Sequence, residues 1–293
     1  IRGSLWLNGT ATGRLSSSDP NLQNQPPEVA GTHIKKAFST TDTSEGRSEW
    51  DSYLMGKYGW EENEELCVVD LDYAGAEVRG LTVYAQDPAL LKALNDGLDM
   101  HSWVASIVFE LDYEAIDRAR KIDGVKRNAE EEFLVTKRKH AKAVVFGLLF
   151  CISAPKLATQ LNIHVREAES LMRMFFKRFP RINDYITYTK SLVLHKGVLR
   201  TPTGRARRFP LAKMGGSIGS ACGRQGVNYL VQGFTSEIVT RTLIELSKNI
   251  QKVRGRLMIT VHDSIVFEMP RSLLPSLDGF FKMHVRDFIQ REF

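Results

Sequence analysis

The chain has 293 residues, 43% hydrophobic and 25% charged, with a formal net charge of +6. That is enough apolar material for one large domain or two, which excludes a disordered chain, and the charge permits a polyanionic partner without demanding one. Cys67, Cys151 and Cys222 stand apart without zinc or disulfide spacing, and no signal peptide or membrane-length apolar run is visible, so a soluble intracellular chain with no membrane partner is expected.

Residues 1–38 read as extended strands and turns, punctuated by Ser16-Ser-Ser-Asp-Pro20 and Pro26-Pro27. Residues 39–65 are polar and are expected to form a mobile insertion. Leu66–Asp72 is an apolar, β-branched run that predicts a buried strand, and its alternation puts Asp70 and Asp72 on one face. A helix follows from Ala74 into the Tyr84 region, and residues 99–110 read as another helix with its cap. Residues 112–136 are charged and read as a second insertion. Lys137–Phe150 predicts a helix on which Arg138, Lys142 and Phe146, spaced i, i+4 and i+8, share one stripe. Helices continue to about residue 196, and residues 197–210 form a turn-rich ribbon carrying Gly204-Arg-Ala-Arg-Arg208. Residues 219–251 are helical, with Asn228 and Gln232 on one face. Residues 257–267 form a hairpin with His262 and Asp263 at its turn. Strands, then helices, then a hairpin predict an α+β fold with an antiparallel sheet.

Two segments about two hundred residues apart carry the chemistry. Each delivers an aspartate, Asp72 or Asp263, to the end or turn of a strand. Taken singly, each reads as a turn or cap residue. If the fold brings them together, their charges repel, and divalent metal is the natural resolution. Two carboxylates holding two Mg²⁺ ions is the geometry of in-line phosphoryl transfer. Arg138 and Lys142 followed by the Phe146 ring suit a nucleoside triphosphate, although a solvated helix face is the default for cations at that spacing.

These segments resemble the palm and fingers of a family A DNA polymerase, the polymerase I family. Asp72-Tyr-Ala-Gly-Ala-Glu-Val-Arg79 matches motif A, Arg138…Lys142…Phe146-Gly147 matches motif B, and Val261-His-Asp263 matches motif C. Residues 10–24 and Asn228-Tyr-Leu-Val-Gln-Gly233 add two further matches in the family's order. The resemblance implies an antiparallel palm sheet with a helical fingers subdomain. Residues 1–98 would form the N-terminal part of the palm, with the insertion at about 39–65. Residues 99–196 would form the fingers, with the insertion at about 112–136, and residues 197–293 the C-terminal part of the palm. A thumb, an exonuclease domain and the last palm strand are absent from the resemblance, and the ends of the chain read as cut.

The resemblance also implies roles. Asp72, Asp263 and the Tyr73 carbonyl would hold two Mg²⁺ ions, with Mn²⁺ as a substitute. Arg138 would meet the γ-phosphate, Lys142 the α-phosphate, with a general-acid role as well, and His101 the β-phosphate. Phe146 would lie near the incoming base, Phe150 would stack with the template base or gate with Glu77, and Glu77 would close the space beside the sugar C2′. Arg14, Arg224, Asn228 and Gln232 would check the minor groove of the newest pair, His262 would touch the primer terminus, and Gln23 and Asn24 would hold the template backbone. Phe150, Cys151 and Ser264 depart from the family, which carries Tyr-Gly at the first two positions and a glutamate at the third. The expected activity is template-directed addition of dNTPs to a primer, with primer–template DNA as partner and a separate thumb chain, exonuclease chain or processivity factor as further candidates. The expected setting is the cytoplasm or nucleoid of a bacterial or phage-infected cell, or an organelle. A non-autonomous DNA-binding piece of a split polymerase and a single-subunit RNA polymerase relative stand as alternatives; Glu77 and residues 10–24 speak against the second.

Overall fold

The computed structural model describes residues 4–6, 9–23, 39–123, 126–149 and 151–293, so Asn24 and Phe150 lie outside the described residues. It divides into two compact units, Ile1–Ala74 with Thr235–Phe293, and Gly75–Phe234. Val78, Leu81 and Leu90 belong to the core of the second unit.

The first unit is built on an antiparallel sheet of β3 (Leu66–Asp72), β7 (Ser264–Pro270) and β6 (Arg256–Val261), in the order β3-β7-β6. A separate pair, β1 (Ser4–Trp6) and β2 (Ser16–Ser18), is also antiparallel. The period-2 pattern of β3 determines its faces. Cys67, Val69 and Leu71 enter a core with Ile265, Phe267 and Met269, while Val68, Asp70 and Asp72 stay exposed on the other face. Ile265, Phe267 and Met269 are wholly buried, each stabilising the sheet by roughly 1.5–3 kcal/mol. Glu268 is also wholly buried, but it is neutralised. Thr41 donates to its two oxygens from N and Oγ1, each at 2.8 Å, and Arg256 Nη1 lies 2.5 Å away.

The expectation of a mobile insertion at 39–65 is corrected by α1 (Glu49–Tyr58). Ser48 caps this helix by accepting from Asp51 N at 3.1 Å, and Gly59 ends it at φ 68°. Leu54, Met55 and Trp60 pack with Leu66 in a small core. Trp60 Nε1 donates to Arg254 O at 2.7 Å, and Arg254 pairs with Glu64. A few well-spaced apolar residues therefore seat a segment whose average composition is polar.

The second unit is helical: α2 (Ala76–Ala85), α3 (Pro88–Asn95), α4 (Met100–Phe109), α5 (Tyr113–Lys121), α6 (Ala129–Leu149), α7 (Ala154–Leu161), α8 (Val165–Arg178) and α9 (Pro180–Lys196). A hairpin of β4 (Val198–Arg200) and β5 (Ala206–Arg208) follows, then α10 (Gly216–Asn249), which continues into the first unit. Asp87, Asp99 and Asp112 each accept from a backbone N–H of the first turn of α3, α4 and α5, which fixes where these helices start. Residues 112–136, expected as a charged insertion, supply α5, seated by the wholly buried Ile116, and the start of α6, which begins at Ala129 rather than at Lys137. Among the described residues no helix is long and apolar enough to cross a membrane.

Candidate functional site

In the first unit, β3 ends at Asp72, directly opposite Ser264 at the start of β7. The two-residue turn before Ser264 consists of His262, at a left-handed φ of 54°, and Asp263. Tyr73 N donates to Asp263 O at 3.4 Å, and the Tyr73 hydroxyl is hydrogen-bonded to Thr242 Oγ1 at 2.6 Å. Burial pushes the Tyr73 phenol up to about 12, so it stays neutral as an anchor. The chain following Asp72 is thereby fixed against the turn that carries Asp263. The Asp72 carboxyl is raised by burial, then by repulsion from Asp70 and from Asp263.

Arg14 reaches the same place. Gly13, at φ 80°, closes a turn in which its N–H donates to Thr10 O at 3.2 Å and Thr10 Oγ1 donates to Arg14 O at 2.8 Å. Ser236 Oγ holds the turn by donating to Gly13 O at 2.8 Å. Arg14 Nη2 then pairs with Asp263 Oδ1. Gln23 is turned inward, its amide donating to Thr260 O at 3.1 Å. A groove of about 440 Å³ runs along this face, lined by Gln23, Val68, Asp70, His262, Ser264 and neighbouring apolar residues.

The donors here are hard oxygens, two carboxylates and a main-chain carbonyl, and their mutual repulsion is what a divalent cation relieves. The residues therefore fit a magnesium-type ion. Among the described residues no three His, Cys, Asp or Glu side chains converge as a metal cage, so coordination would draw on the Tyr73 carbonyl and on oxygens from outside the chain.

In the second unit, Arg138 on α6 is gripped by Asp99. Its Nε and Nη2 lie 2.9 and 3.1 Å from the two carboxylate oxygens, and Nε lies 3.2 Å from Ser102 Oγ. Burial alone would raise Asp99, but the Arg138 and Ser102 donors outweigh it and hold the carboxyl well below its ordinary range. His101 is pushed down to about 4 by burial and by the Arg138 charge, with a smaller push from Lys142, so its imidazole is neutral. The His101 and Phe146 rings lie 5.6 Å apart, and the exposed Lys142 Nζ lies 5.7 Å from the Phe146 ring centre.

The end of α6 is closed by Ile152 N donating to Gly147 O at 2.7 Å and Cys151 N donating to Leu148 O at 2.9 Å. Cys151 sits at φ 48°, in the left-handed region that favours glycine. A Cβ on Gly147 would come 2.6 Å from Ile152 Cγ2, so any larger residue would force the Ile152 side chain to shift. Beside this turn opens a cleft of about 730 Å³ lined by Phe146, Gly147, Cys151, Lys156, Gln160 and Arg224, among others. Elsewhere in the unit, Asn228 Nδ2 donates to Gln232 Oε1 at 3.2 Å, and Gln232 Nε2 donates to the buried Glu77 at 3.1 Å.

The model of DNA polymerase family A matches residues 1–290. The chain belongs to DNA polymerase family A. Among its relatives, DNA polymerase I of Rhizobium leguminosarum is 31% identical over 275 residues, covering 92% of this chain and 23% of that protein. The thermostable DNA polymerase I of Thermus aquaticus is 30% identical over 264 residues, covering 89% of this chain and 27% of that protein. This family A chain thus spans about a quarter of the length of the curated relatives it matches. It also resembles the polymerase domain of Pol1 from M. smegmatis, solved in complex with DNA primer–template and dNTP. The TM-score is 0.73 at 27% identity, covering 97% of this chain and 44% of that one.

In this family A chain the first unit brings Arg14, Asp72, Tyr73 and Asp263 to one sheet end, with His262 exposed beside them. The second unit gathers His101, Arg138, Lys142 and Phe146, links Asn228, Gln232 and Glu77, and sets Arg224 and Phe146 at one cleft. Gln23 faces the sheet, and Asn24 and Phe150 lie outside the described residues. Asp99 was legible in the sequence only as a helix cap. Nothing in a 39-residue separation marks it as the partner of Arg138. Lys156 and Gln160 carried no sequence signal at all, and only folding brings them to the cleft.

Proposed function

We propose that the chain is a template-directed DNA polymerase core that adds dNTPs to a primer 3′-hydroxyl by two-metal-ion nucleotidyl transfer. The observation that carries this reading is the pair Asp72 and Asp263, at adjoining strand and turn ends of a chain matched over residues 1–290 by the family A model. Primer–template and dNTP, present in the M. smegmatis complex, are the ligands expected here.

Asp72, Asp263 and the Tyr73 carbonyl would hold Mg²⁺. When bound, such ions lower the pKa of the attacking hydroxyl and neutralise the leaving pyrophosphate. The α6 face binds the triphosphate: Arg138 takes the γ-phosphate once Asp99 yields it, and Lys142 stabilises charge nearer the reacting phosphorus and donates a proton to the leaving group. His101, neutral, offers an N–H to the β-phosphate rather than a charge. Phe146 lies against the incoming base, Phe150 stacks with the template base or gates with Glu77, and Glu77, held by Gln232, excludes a ribose 2′-hydroxyl. Arg14, Arg224, Asn228 and Gln232 check the minor groove of the newest pair, His262 meets the primer terminus, and Gln23 and Asn24 serve the template strand. The palm reading of 1–98 with 197–293 and the fingers reading of 99–196 belong to this proposal, as does an intracellular setting where DNA and dNTPs are found.

The test is extension of a labelled primer–template by the purified chain with Mg²⁺ and dNTPs, against Asp72→Asn and Asp263→Asn. Each variant should lose about a thousandfold or more in incorporation, since metal-centred charge stabilisation is worth several kcal/mol. Primer–template affinity should stay within about threefold, because basic contacts to phosphate dominate it. Incorporation within tenfold of wild type in either variant would overturn the reading. A wild type that extends only when a thumb-bearing chain is added would make this a non-autonomous piece of a split polymerase.

A further inference from the structure

Asp70 is the one acid on the active face of β3 that the proposed reaction leaves unused. It lies two residues before Asp72 and so projects from the same side of the sheet. Ser264 stands directly opposite Asp72 in the strand register and is buried, and its hydroxyl donates to Asp70 Oδ1. The hydroxyl of the residue paired with Asp72 is therefore spent on fixing the carboxylate next to Asp72. Position 264 carries no charge of its own, whereas the family resemblance places a glutamate there. The acidic charge missing from the β7 side of the pair is present on the β3 side, tied to the same position.

We propose that Asp70 is a positioning residue of the metal site: its carboxylate, held by Ser264, supplies the third negative charge that draws a divalent cation to Asp72 and Asp263. This rests on the metal-binding reading of those two residues. Asp70 does not act as a ligand, because the three carboxylates do not converge as a cage. Its effect is through space, across one pleat of the strand. A full charge one pleat from a divalent ion, partly screened by solvent, changes affinity by about five- to tenfold. Val68 precedes it on the same face and ends the run of acids, so no other side chain of β3 can take over the role.

A merely structural Asp70, serving only as an acceptor for Ser264, would alter stability and leave cation affinity alone. The experiment is Mn²⁺ binding to the full chain without DNA, followed by the electron paramagnetic resonance of free Mn²⁺. The variants are Asp70→Asn, Ser264→Ala, Asp70→Asn with Ser264→Glu, and Asp72→Asn. Asp70→Asn should raise the Mn²⁺ Kd about fivefold or more, and Ser264→Ala, which keeps the charge but releases it, about twofold. Ser264→Glu in the Asp70→Asn background should restore affinity, because it returns one negative charge to the same pair of strands. With DNA and dNTP present, the Mg²⁺ concentration for half-maximal incorporation should rise in Asp70→Asn, while kcat at saturating Mg²⁺ stays within about threefold. An unchanged Kd in Asp70→Asn, with binding lost in Asp72→Asn, would overturn the role of Asp70 and leave the polymerase reading standing. Undiminished Mn²⁺ binding in Asp72→Asn would instead remove the metal reading beneath it. If Asp70→Asn fails to fold, Asp70→Ser, which also removes the charge and keeps a polar partner for Ser264, carries the same test, and an unchanged Kd in that variant overturns the proposal.

Discussion

Arg14 Nη2 lies 3.2 Å from Oδ1 of Asp263, so a carboxylate assigned to a cation is already paired with one. Both side chains are about a quarter exposed, which keeps the pair's worth within about 1 kcal/mol. Under the proposed metal reading, Arg14 and a divalent ion would therefore compete for Asp263. Arg14→Ala should tighten Mn²⁺ binding to the chain alone by about two- to fivefold. The same change should weaken incorporation on primer–template, where Arg14 is assigned to the minor groove. Mn²⁺ titration of the two proteins without DNA measures the first effect, and equal affinities would show that the ion pair opens without cost.

In the proposed function Glu77 would decide between sugars. Its buried carboxylate accepts from Gln232, which fixes its position and removes the freedom to swing aside. Glu77→Gly should improve rNTP use relative to dNTP by tens to thousands of fold, from a clash and an unpaired hydroxyl on the order of 2–5 kcal/mol. Glu77→Gln keeps the bulk and a group able to meet Gln232, and should retain most of the discrimination. Single-nucleotide insertion with matched dNTP and rNTP gives the ratio; the same ratio in wild type and Glu77→Gly would remove the gate from this residue.

His101 sets a pH window for stability. Burial and the Arg138 charge disfavour its imidazolium and push the ring down from 6.5 to about 4 in the fold. On acidification the unfolded chain takes up this proton first. The contribution of His101 is therefore complete above about pH 6.5 and is lost as pH falls toward 4. Asp99, held well below its ordinary range, acts in a lower window: its stabilisation is present above about pH 4 and lost below it. Urea unfolding between pH 7 and 4.5 should show a falling free energy in wild type that becomes shallower in His101→Phe, with the also lowered His140 keeping part of the slope. Parallel profiles would place the titrating group elsewhere.

Cys151 holds a left-handed backbone at φ 48° in the turn that closes α6. A side chain in that region costs about 1 kcal/mol relative to glycine, so Cys151→Gly should raise the melting temperature by roughly 2 °C. Cys151→Ala keeps the Cβ and should give no gain. A stabilised alanine variant would assign the effect to the thiol rather than to the backbone.

Much of this was legible because the relevant signals are local. The alternation of Leu66–Asp72, the apolar arms of the motif C hairpin and the i, i+4 spacing of Arg138 and Lys142 each express one periodic rule, and each appears in the structure. The helix at 49–58 was hidden by composition. Its cap, Ser48 with Asp51, was in plain sight, but only two of its residues are buried and they do not dominate an average. The grip of Asp99 on Arg138 and of Arg14 on Asp263 was not legible, because pairing across 39 and 249 residues is set by packing. Electrostatic partners of that kind carry no spacing.

The two faces of β3 have a consequence for how this gene can change. Valine, isoleucine and leucine can be exchanged along the strand at modest cost. Its length cannot be altered. One codon gained or lost within β3 between Leu66 and Asp70 would turn both aspartates toward Phe267 and Met269 and bring Leu71 out to water. Seven residues thus work as a ruler for the carboxylates. The turn around Gly46, at φ 84° and with no atom within 4 Å of an added Cβ, lies outside β3, so a length change there need not move that ruler.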